Sequence, residues 1–223
     1  MTPYVQTPRC SRKRVRQDES TSAMSTRPEE TFTVAATNTS TEVINGVPVD
    51  DLFATITAIR ANSGIASFKF RVRNQWQNAA RNTSTVEPFY AAGQDHVRSS
   101  PFVLEADEPQ ILFGNDTAAN PAEYLLHSLA ACLTTSMVYH AAVRGIEIQE
   151  IESVLEGGID LLGFIGLDKN VRQGYQGIHV HFKIKADVPD EQLEKVVQLG
   201  QAHSPVFDSL TNGVPVCVTS ERL

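Results

Sequence analysis

Three cysteines, Cys10, Cys132 and Cys217, are the side chains of this sequence best suited to nucleophilic or redox chemistry. The thiolate form of cysteine is both the nucleophile and the metal ligand. No two of the three are close enough in sequence for a Cys-x-x-Cys site, so we expect no structural zinc. We also expect no other metal and no cofactor. An odd and sparse cysteine count is typical of a reducing compartment, and no apolar signal segment is visible. The sequence therefore predicts a cytoplasmic protein.

Cys132 follows a segment with the marks of a helix start. Asn120 is suited to cap the helix, Pro121 to open its first turn, and the Glu123 side chain to return to the N–H group of the cap. The predicted helix runs to about Arg144. Its apolar residues lie on every face, which predicts a buried helix. They are Leu125, Leu126, Leu129, Leu133, Met137, Val138 and Ala142.

The position of Cys132 limits how its thiol could be activated. It lies twelve residues beyond Asn120, roughly 18 Å along a helix, where the dipole of the helix N-terminus is no longer felt. A cation on another element is then needed to favour the thiolate. The alternative is that Cys132 only packs, since free cysteine is often buried and inert.

The histidines suggest two other kinds of site. His179 and His181 share the face of a predicted strand and could bind a metal, but two lysines follow on the same face, which favours a solvated surface. His127 precedes Cys132 by five residues, which is off its helical face and argues against a cysteine hydrolase.

Composition divides the chain into three parts. Residues 1–30 contain few large apolar side chains and are predicted to be a disordered tail. Residues 31–64 form an N-terminal extension, in which apolar spacing predicts a short helix between Val49 and Ala61. Residues 65–223 form the main domain. The formal net charge of -7 gives no overall field for nucleic acid or an anionic membrane, so neither partner is expected.

The main domain reads as an α+β fold. Residues Ser67 to Trp76 alternate apolar and basic side chains, which predicts a strand with one solvent-facing side. The polar run from Arg81 to Ser84 predicts a turn. Two further helices are predicted, one beginning at Pro189 and one at Ser204. Other strands are predicted at residues 86–90, 101–106, 146–162, 178–186 and 214–219.

The segment from Asn120 to Cys132 resembles the signature of the OsmC/Ohr family (osmotically inducible protein C and organic hydroperoxide resistance protein). In that family an Asn-Pro-capped apolar helix carries a reactive cysteine about three turns from its start. The order of elements over roughly residues 65–220 agrees with the resemblance. It implies antiparallel sheets wrapped around two long central helices, and an intertwined homodimer.

The resemblance also implies a thiol-dependent peroxidase that reduces organic hydroperoxides or hydrogen peroxide, with an antioxidant role in the oxidative stress response. Cys132 would attack the peroxide O–O bond and become a sulfenic acid. The family's second cysteine then resolves that acid, but the matching residue here is Ser204. An external thiol or a lipoyl-type reductant would therefore have to close the cycle. Resolution by Cys217 is a weaker alternative.

Two more site residues follow from the resemblance. Arg81 is the candidate cation for the Cys132 thiolate, because the active-site arginine of the family lies near an early strand turn. Family hydroperoxidases often place glutamate directly after the proline; Ala122 stands there, and Glu123 is displaced by one residue. Glu123 is thus a catalytic candidate whose role could be capping alone. The alternative function is a noncatalytic binding or redox-sensing dimer, which Ser204 and Ala122 favour.

Overall fold

The structure, a computed structural model, describes residues 42–222. The predicted tail at residues 1–30 and the first part of the predicted extension lie outside the described residues. The chain divides into two compact units, and the larger one, Ser40–Gly213, contains all the elements given below. The described part of the other unit is residues 214–222.

The described chain begins with a small hairpin and the predicted helix. Strands β1 (Val43–Ile44) and β2 (Val47–Pro48) pair across a turn at Asn45, and α1 (Val49–Ala61) follows directly, so the predicted helix is confirmed. The Asn45 side chain donates to the Ile146 carbonyl at 2.9 Å and accepts from the Ile148 N–H at 2.8 Å. The N-terminal extension is therefore tied to the segment at residues 146–148.

Strands β3 (Val72–Asn78), β4 (Arg81–Val86) and β7 (Val103–Ala106) form one antiparallel sheet in the order β3-β4-β7. A separate hairpin pairs β5 (Phe89–Ala91) with β6 (Gln94–His96).

The predicted turn from Arg81 to Ser84 is wrong, because these residues lie in β4 and the chain reverses before them, at Ala79, whose φ is 49°. The polar side chains bond across strands instead: the Asn74 amide donates to the Asn82 Oδ1 at 2.8 Å and to the Ser84 Oγ at 2.9 Å. The polar side chains of Asn82 and Ser84 therefore form hydrogen bonds with Asn74 of the neighbouring strand.

The predicted strand from Ser67 to Trp76 starts later than expected and lacks its buried side. Regular pairing begins at Val72, preceded by a single bridge from Lys69 to Tyr90. All of β3 is exposed, and Trp76 is 72% exposed. Nothing among residues 42–222 covers the apolar side of this strand, so the half-buried pattern is not fulfilled within the described chain.

Helix α2 (Pro121–Ala142) carries Cys132, and its predicted capping box is confirmed. The Asn120 Oδ1 accepts from the Glu123 N–H at 2.8 Å, and the Glu123 carboxylate accepts from the Asn120 N–H at 2.8 Å. Within residues 42–222 neighbouring elements cover one side of the helix only, so the predicted burial on every face is not fulfilled within the described chain. Exposed residues on the other side are Ser128, Ala131, Thr135 and Tyr139.

The covered side of α2 packs on a second antiparallel hairpin and on α4. Strands β8 (Ile148–Gly157) and β9 (Ile178–Ala186) lie within predicted strand segments and pair with each other, although β8 ends before the predicted residue 162. The apolar residues of β9 alternate inward. The core joins Met137 and Ala141 to Val196 of α4 (Asp190–Ala202). The histidine and lysine face of β9 is exposed, as predicted.

Two short helices complete the unit, α3 (Leu161–Phe164) and α5 (Pro205–Thr211). The predicted helix start at Ser204 is confirmed. The predicted strand at residues 214–219 is wrong: this segment has no regular structure, and Val218 is 87% exposed.

Candidate functional site

Cys132 lies at the border between the covered and the exposed side of α2. Its side chain is partly buried. Leu129 and Ser136, one turn to either side on the same helical face, are buried, whereas Ala131 and Thr135 are exposed. The thiol is thus placed where a small molecule could approach from the exposed side while apolar residues lie behind it.

One cleft begins on the face of α2 that carries Cys132, and we name it the loop cleft. It has a volume of about 440 Å³ and lies between α2, α5 and the loop that precedes β9. Leu129, one turn before Cys132, forms part of its wall. Other lining residues are Leu125, Arg172, Tyr175, Ile178, Phe207 and Leu210.

A second cleft, the sheet cleft, separates the first half of α2 from the β3-β4-β7 sheet. Its volume is about 290 Å³, and Asn82 and Ser84 of β4 face Tyr124 and Ser128 across it. The Tyr124 hydroxyl donates to the Glu105 main-chain carbonyl at 2.6 Å. This bond ties the helix of Cys132 to strand β7.

Arg81 lies on the other side of that sheet. Side chains alternate along a strand, so Arg81 faces away from the cleft that Asn82 and Ser84 line. Its Nη2 atom stands 3.8 Å from the Glu105 Oε2 atom. Within residues 42–222 no hydrogen bond or ion pair joins Arg81 to Cys132, so its role as the activating cation stays a prediction.

Glu123 performs its capping role at the start of α2, nine residues before Cys132 and roughly 13 Å along the helix axis. The negative charge of the Glu123 carboxylate affects the pKa of two neighbouring side chains, Tyr175 and Glu108. Burial raises the pKa of Tyr175, and the charge of Glu123 raises it further. Burial also raises the pKa of Glu108, with added repulsion from Asp107 and Glu123. A catalytic role for Glu123 stays a prediction.

Ser204, which the resemblance predicts to replace the family's second cysteine, is buried, with 1% of its surface exposed. Its hydroxyl accepts from the Phe207 N–H at 3.3 Å and caps α5, which packs against α2. The structure therefore brings the elements of Ser204 and Cys132 together. The hydroxyl stabilises a helix start, and it cannot form a disulfide.

The family model described as OsmC-like protein matches residues 114–219. The chain contains an OsmC-like domain. Cys132 and Ser204 both lie within it. No curated protein matches the sequence.

Three solved structures illustrate the structural similarity. An OsmC like protein from Mycoplasma pneumoniae is 15% identical, with 64% of this chain and 86% of that chain covered and a TM-score of 0.49. The organic hydroperoxide resistance protein OsmC from Legionella pneumophila is 16% identical, with 65% and 90% covered and a TM-score of 0.44. The organic hydroperoxide resistance protein OhrB of Bacillus subtilis is 18% identical, with 64% and 90% covered and a TM-score of 0.41.

Just before the OsmC-like domain, Asp107 organises the loop that leads to α2. It is 1% exposed and accepts hydrogen bonds from Glu108, Asn115 and Thr117. Burial alone would raise the pKa of Asp107, but these bonds outweigh it and lower the pKa. The sequence shows this residue only as part of a polar break, because its partners are up to ten residues away.

Within the OsmC-like domain, Arg172 and Tyr175 were not predicted from the sequence. They lie in a polar loop, where composition gives no signal that one face lines a cleft. Within residues 42–222 no group of three or more His, Cys, Asp or Glu is placed to hold a metal ion. Over the same residues no helix is long and apolar enough to cross a membrane.

Proposed function

We propose that the chain is a thiol-dependent peroxidase that reduces organic hydroperoxides or hydrogen peroxide through Cys132. The observation that carries this proposal is the partly exposed thiol about three turns into a capped helix of an OsmC-like domain, on the helical face whose Leu129 lines an apolar cleft. Such a position combines access for a small peroxide with exclusion of bulk water behind the sulfur.

The proposed reaction has two steps. The Cys132 thiolate attacks one oxygen of the peroxide; the O–O bond breaks, the leaving alkoxide takes a proton and departs as alcohol, and the sulfur becomes a sulfenic acid. An external dithiol of the lipoyl type then attacks the sulfenic sulfur and releases water. Its second thiol displaces Cys132 as the free thiol and closes the disulfide of the reductant. Ser204 offers no sulfur for this second step.

The walls of the loop cleft favour an apolar peroxide. Leu125, Leu129, Phe207 and Leu210 would bury a hydrocarbon group near the sulfur, and each buried methylene contributes about 0.8 kcal/mol. An organic hydroperoxide should therefore react faster than hydrogen peroxide.

We also infer a homodimer that acts in the cytoplasm. Phe68, Phe70, Val72 and Trp76 are all more than half exposed on or beside β3, and such an apolar patch is typical of a protein interface. A sulfenic acid cycle that lacks a resolving cysteine also needs the reducing thiols of the cytoplasm.

A second candidate function is a noncatalytic redox-sensing dimer. The observation that favours it is the buried hydroxyl of Ser204, which caps α5 where the family's second cysteine would stand. In this case Cys132 would be oxidised once and would not be turned over.

One assay separates the two functions. Purified full-length protein receives excess cumene hydroperoxide with reduced lipoamide, and peroxide loss is followed over time. The peroxidase proposal requires many turnovers in the wild type, none in Cys132→Ser, and an unchanged rate in the matched control Cys217→Ser. If the wild type consumes peroxide no faster than Cys132→Ser, the peroxidase proposal is rejected. If each chain consumes one equivalent of cumene hydroperoxide and then stops, the result supports the redox-sensing function.

A further inference from the structure

Three polar side chains are buried among residues 42–222, and one of them lacks a hydrogen bond. Asp107 accepts hydrogen bonds from three residues of its own loop, and the Ser204 hydroxyl accepts from the Phe207 N–H. Ser136 of α2 is 9% exposed, and its hydroxyl makes no hydrogen bond within the same residues. Buried polar groups are nearly always paired, so an unpaired hydroxyl calls for a specific explanation.

The Ser136 hydroxyl still reaches the surface. Among the buried and half-buried side chains of the described chain, no nitrogen or oxygen is both sealed from solvent and without a hydrogen bond. The Ser136 oxygen therefore lies on the small part of this residue that solvent can touch. A group that enters this accessible space can accept the hydroxyl proton.

Helix geometry directs the Ser136 side chain toward Cys132. The two residues are four positions apart, so they lie one above the other on the same face of α2, with Cβ atoms about 5–6 Å apart. Side chains of an α-helix lean toward its N-terminus, so Ser136 leans over the turn that carries Cys132. A rotation about one bond then brings the hydroxyl within reach of the sulfur.

Ser128 stands four residues before Cys132 on the same face, but its hydroxyl is already engaged. It donates to the Tyr124 carbonyl at 2.8 Å, and the residue is exposed. Its side chain leans away from Cys132 for the same geometric reason. Of the two serines that flank Cys132 on this face, Ser136 is thus the one whose proton is unused within the described chain.

The Cys132 sulfur has no partner of its own in this part of the structure. Within residues 42–222 no hydrogen bond or ion pair reaches it. A thiolate in a partly buried position is stabilised by a hydrogen-bond donor, and a bond to a charged acceptor is roughly twice as strong as a bond between neutral groups.

We propose that Ser136 is a catalytic residue, whose hydroxyl donates a hydrogen bond to the Cys132 thiolate during attack on the peroxide. This role rests on the proposed peroxidase function. It also explains why a buried hydroxyl is kept unpaired beside the thiol, where an alanine would pack without loss of any hydrogen bond.

The variants Ser136→Thr and Ser136→Val form a matched pair, because their side chains have the same shape and only threonine keeps the hydroxyl. Full-length protein is treated with iodoacetamide near neutral pH, and alkylation of the Cys132 peptide is followed by mass spectrometry. Ser136→Thr should react within about twofold of wild type and Ser136→Val about tenfold more slowly, since a hydrogen bond to a charged group is lost.

Two further variants separate this role from a structural one. Ser136→Ala should slow alkylation as Ser136→Val does, yet it should not lower the urea midpoint of unfolding, because no hydrogen bond of the folded chain is removed. Ser128→Ala should be alkylated like wild type. Equal rates for Ser136→Thr and Ser136→Val, or an equal loss of rate in Ser128→Ala, would overturn the proposal.

The same set of variants is then oxidised with cumene hydroperoxide, and the sulfenic acid is trapped with dimedone. The rates should follow the order found for alkylation. If wild type forms no sulfenic acid at Cys132, the peroxidase function fails, while the alkylation rates still decide whether Ser136 acts on the thiolate.

Discussion

Tyr124 and Glu105 are joined by a hydrogen bond of 2.6 Å, in which the tyrosine hydroxyl donates to a main-chain carbonyl of β7. Tyr124 stands eight residues before Cys132, so this bond connects the helix of the thiol to the β3-β4-β7 sheet. The side-chain carboxylate of Glu105 also lies opposite the Arg81 guanidinium. The packing of helix on sheet therefore rests in part on one hydroxyl.

We predict that Tyr124→Phe lowers the free energy of unfolding by about 1 kcal/mol, the usual net value of one hydrogen bond. Urea denaturation would measure it. Tyr139→Phe is the control, since Tyr139 lies on the same helix, is 50% exposed, and its hydroxyl makes no hydrogen bond within residues 42–222. Equal losses in both variants would contradict a structural role for the Tyr124 hydroxyl.

Glu123→Gln separates the capping role of Glu123 from a catalytic one. Glutamine still provides an oxygen for the Asn120 N–H, so only the favourable charge at the helix start is lost, and the free energy of unfolding should fall by about 0.5 kcal/mol. The rate of Cys132 oxidation by peroxide, followed by trapping of the sulfenic acid, should stay within about twofold of wild type, because Glu123 lies roughly 13 Å away along the helix.

Asn120→Ala provides the comparison for that experiment. It removes the other half of the capping box and should cost about 1 kcal/mol of stability. A Glu123→Gln variant that is as stable as wild type but oxidised tenfold more slowly would show that the carboxylate takes part in the reaction.

The start of the cysteine helix could be predicted because its signals are local in the sequence. Features that depend on contacts between distant residues could not be predicted. The cap of α2 depends on Asn120 and Glu123, which are three residues apart, so the sequence shows it directly. The reversal at Ala79 was missed because the polar residues of β4 are satisfied by a neighbouring strand. Arg172 was missed because its position depends on Gly163, which the sequence gives no reason to pair with it.

The Trp76 side chain should become buried if the proposed homodimer interface uses the exposed apolar face of β3. Trp76 is the single tryptophan of the chain and is 72% exposed. We predict that its fluorescence emission shifts to longer wavelength as the protein is diluted and the dimer separates. Phe70→Asp should give the dissociated spectrum at all concentrations, while Phe53→Asp on α1 should behave like wild type. Emission independent of concentration in a protein that sediments as a monomer would contradict this interface.

His140 near the end of α2 should make stability depend on pH. Its ring lies 4.7 Å from that of His203, and Arg144 donates to the His140 carbonyl at 3.0 Å. Burial lowers the pKa of His140 below its ordinary value of 6.5, and repulsion from His203 and Arg144 lowers it further. The unfolded chain therefore binds more protons than the folded chain as the pH falls below about 6.5, and the folded state loses stability in that window.

Urea denaturation between about pH 7.5 and 5.5, at constant ionic strength, tests this dependence. The free energy of unfolding of wild type should fall more steeply with decreasing pH than that of His140→Gln. The pKa of Asp107 is also lowered, but from an ordinary value of 3.8, so its contribution is lost only at more acidic pH and does not enter this range. His127→Gln, an exposed residue on the same helix, should keep the wild-type slope. Parallel slopes for wild type and His140→Gln would show that protonation of the half-buried His140 ring does not oppose folding.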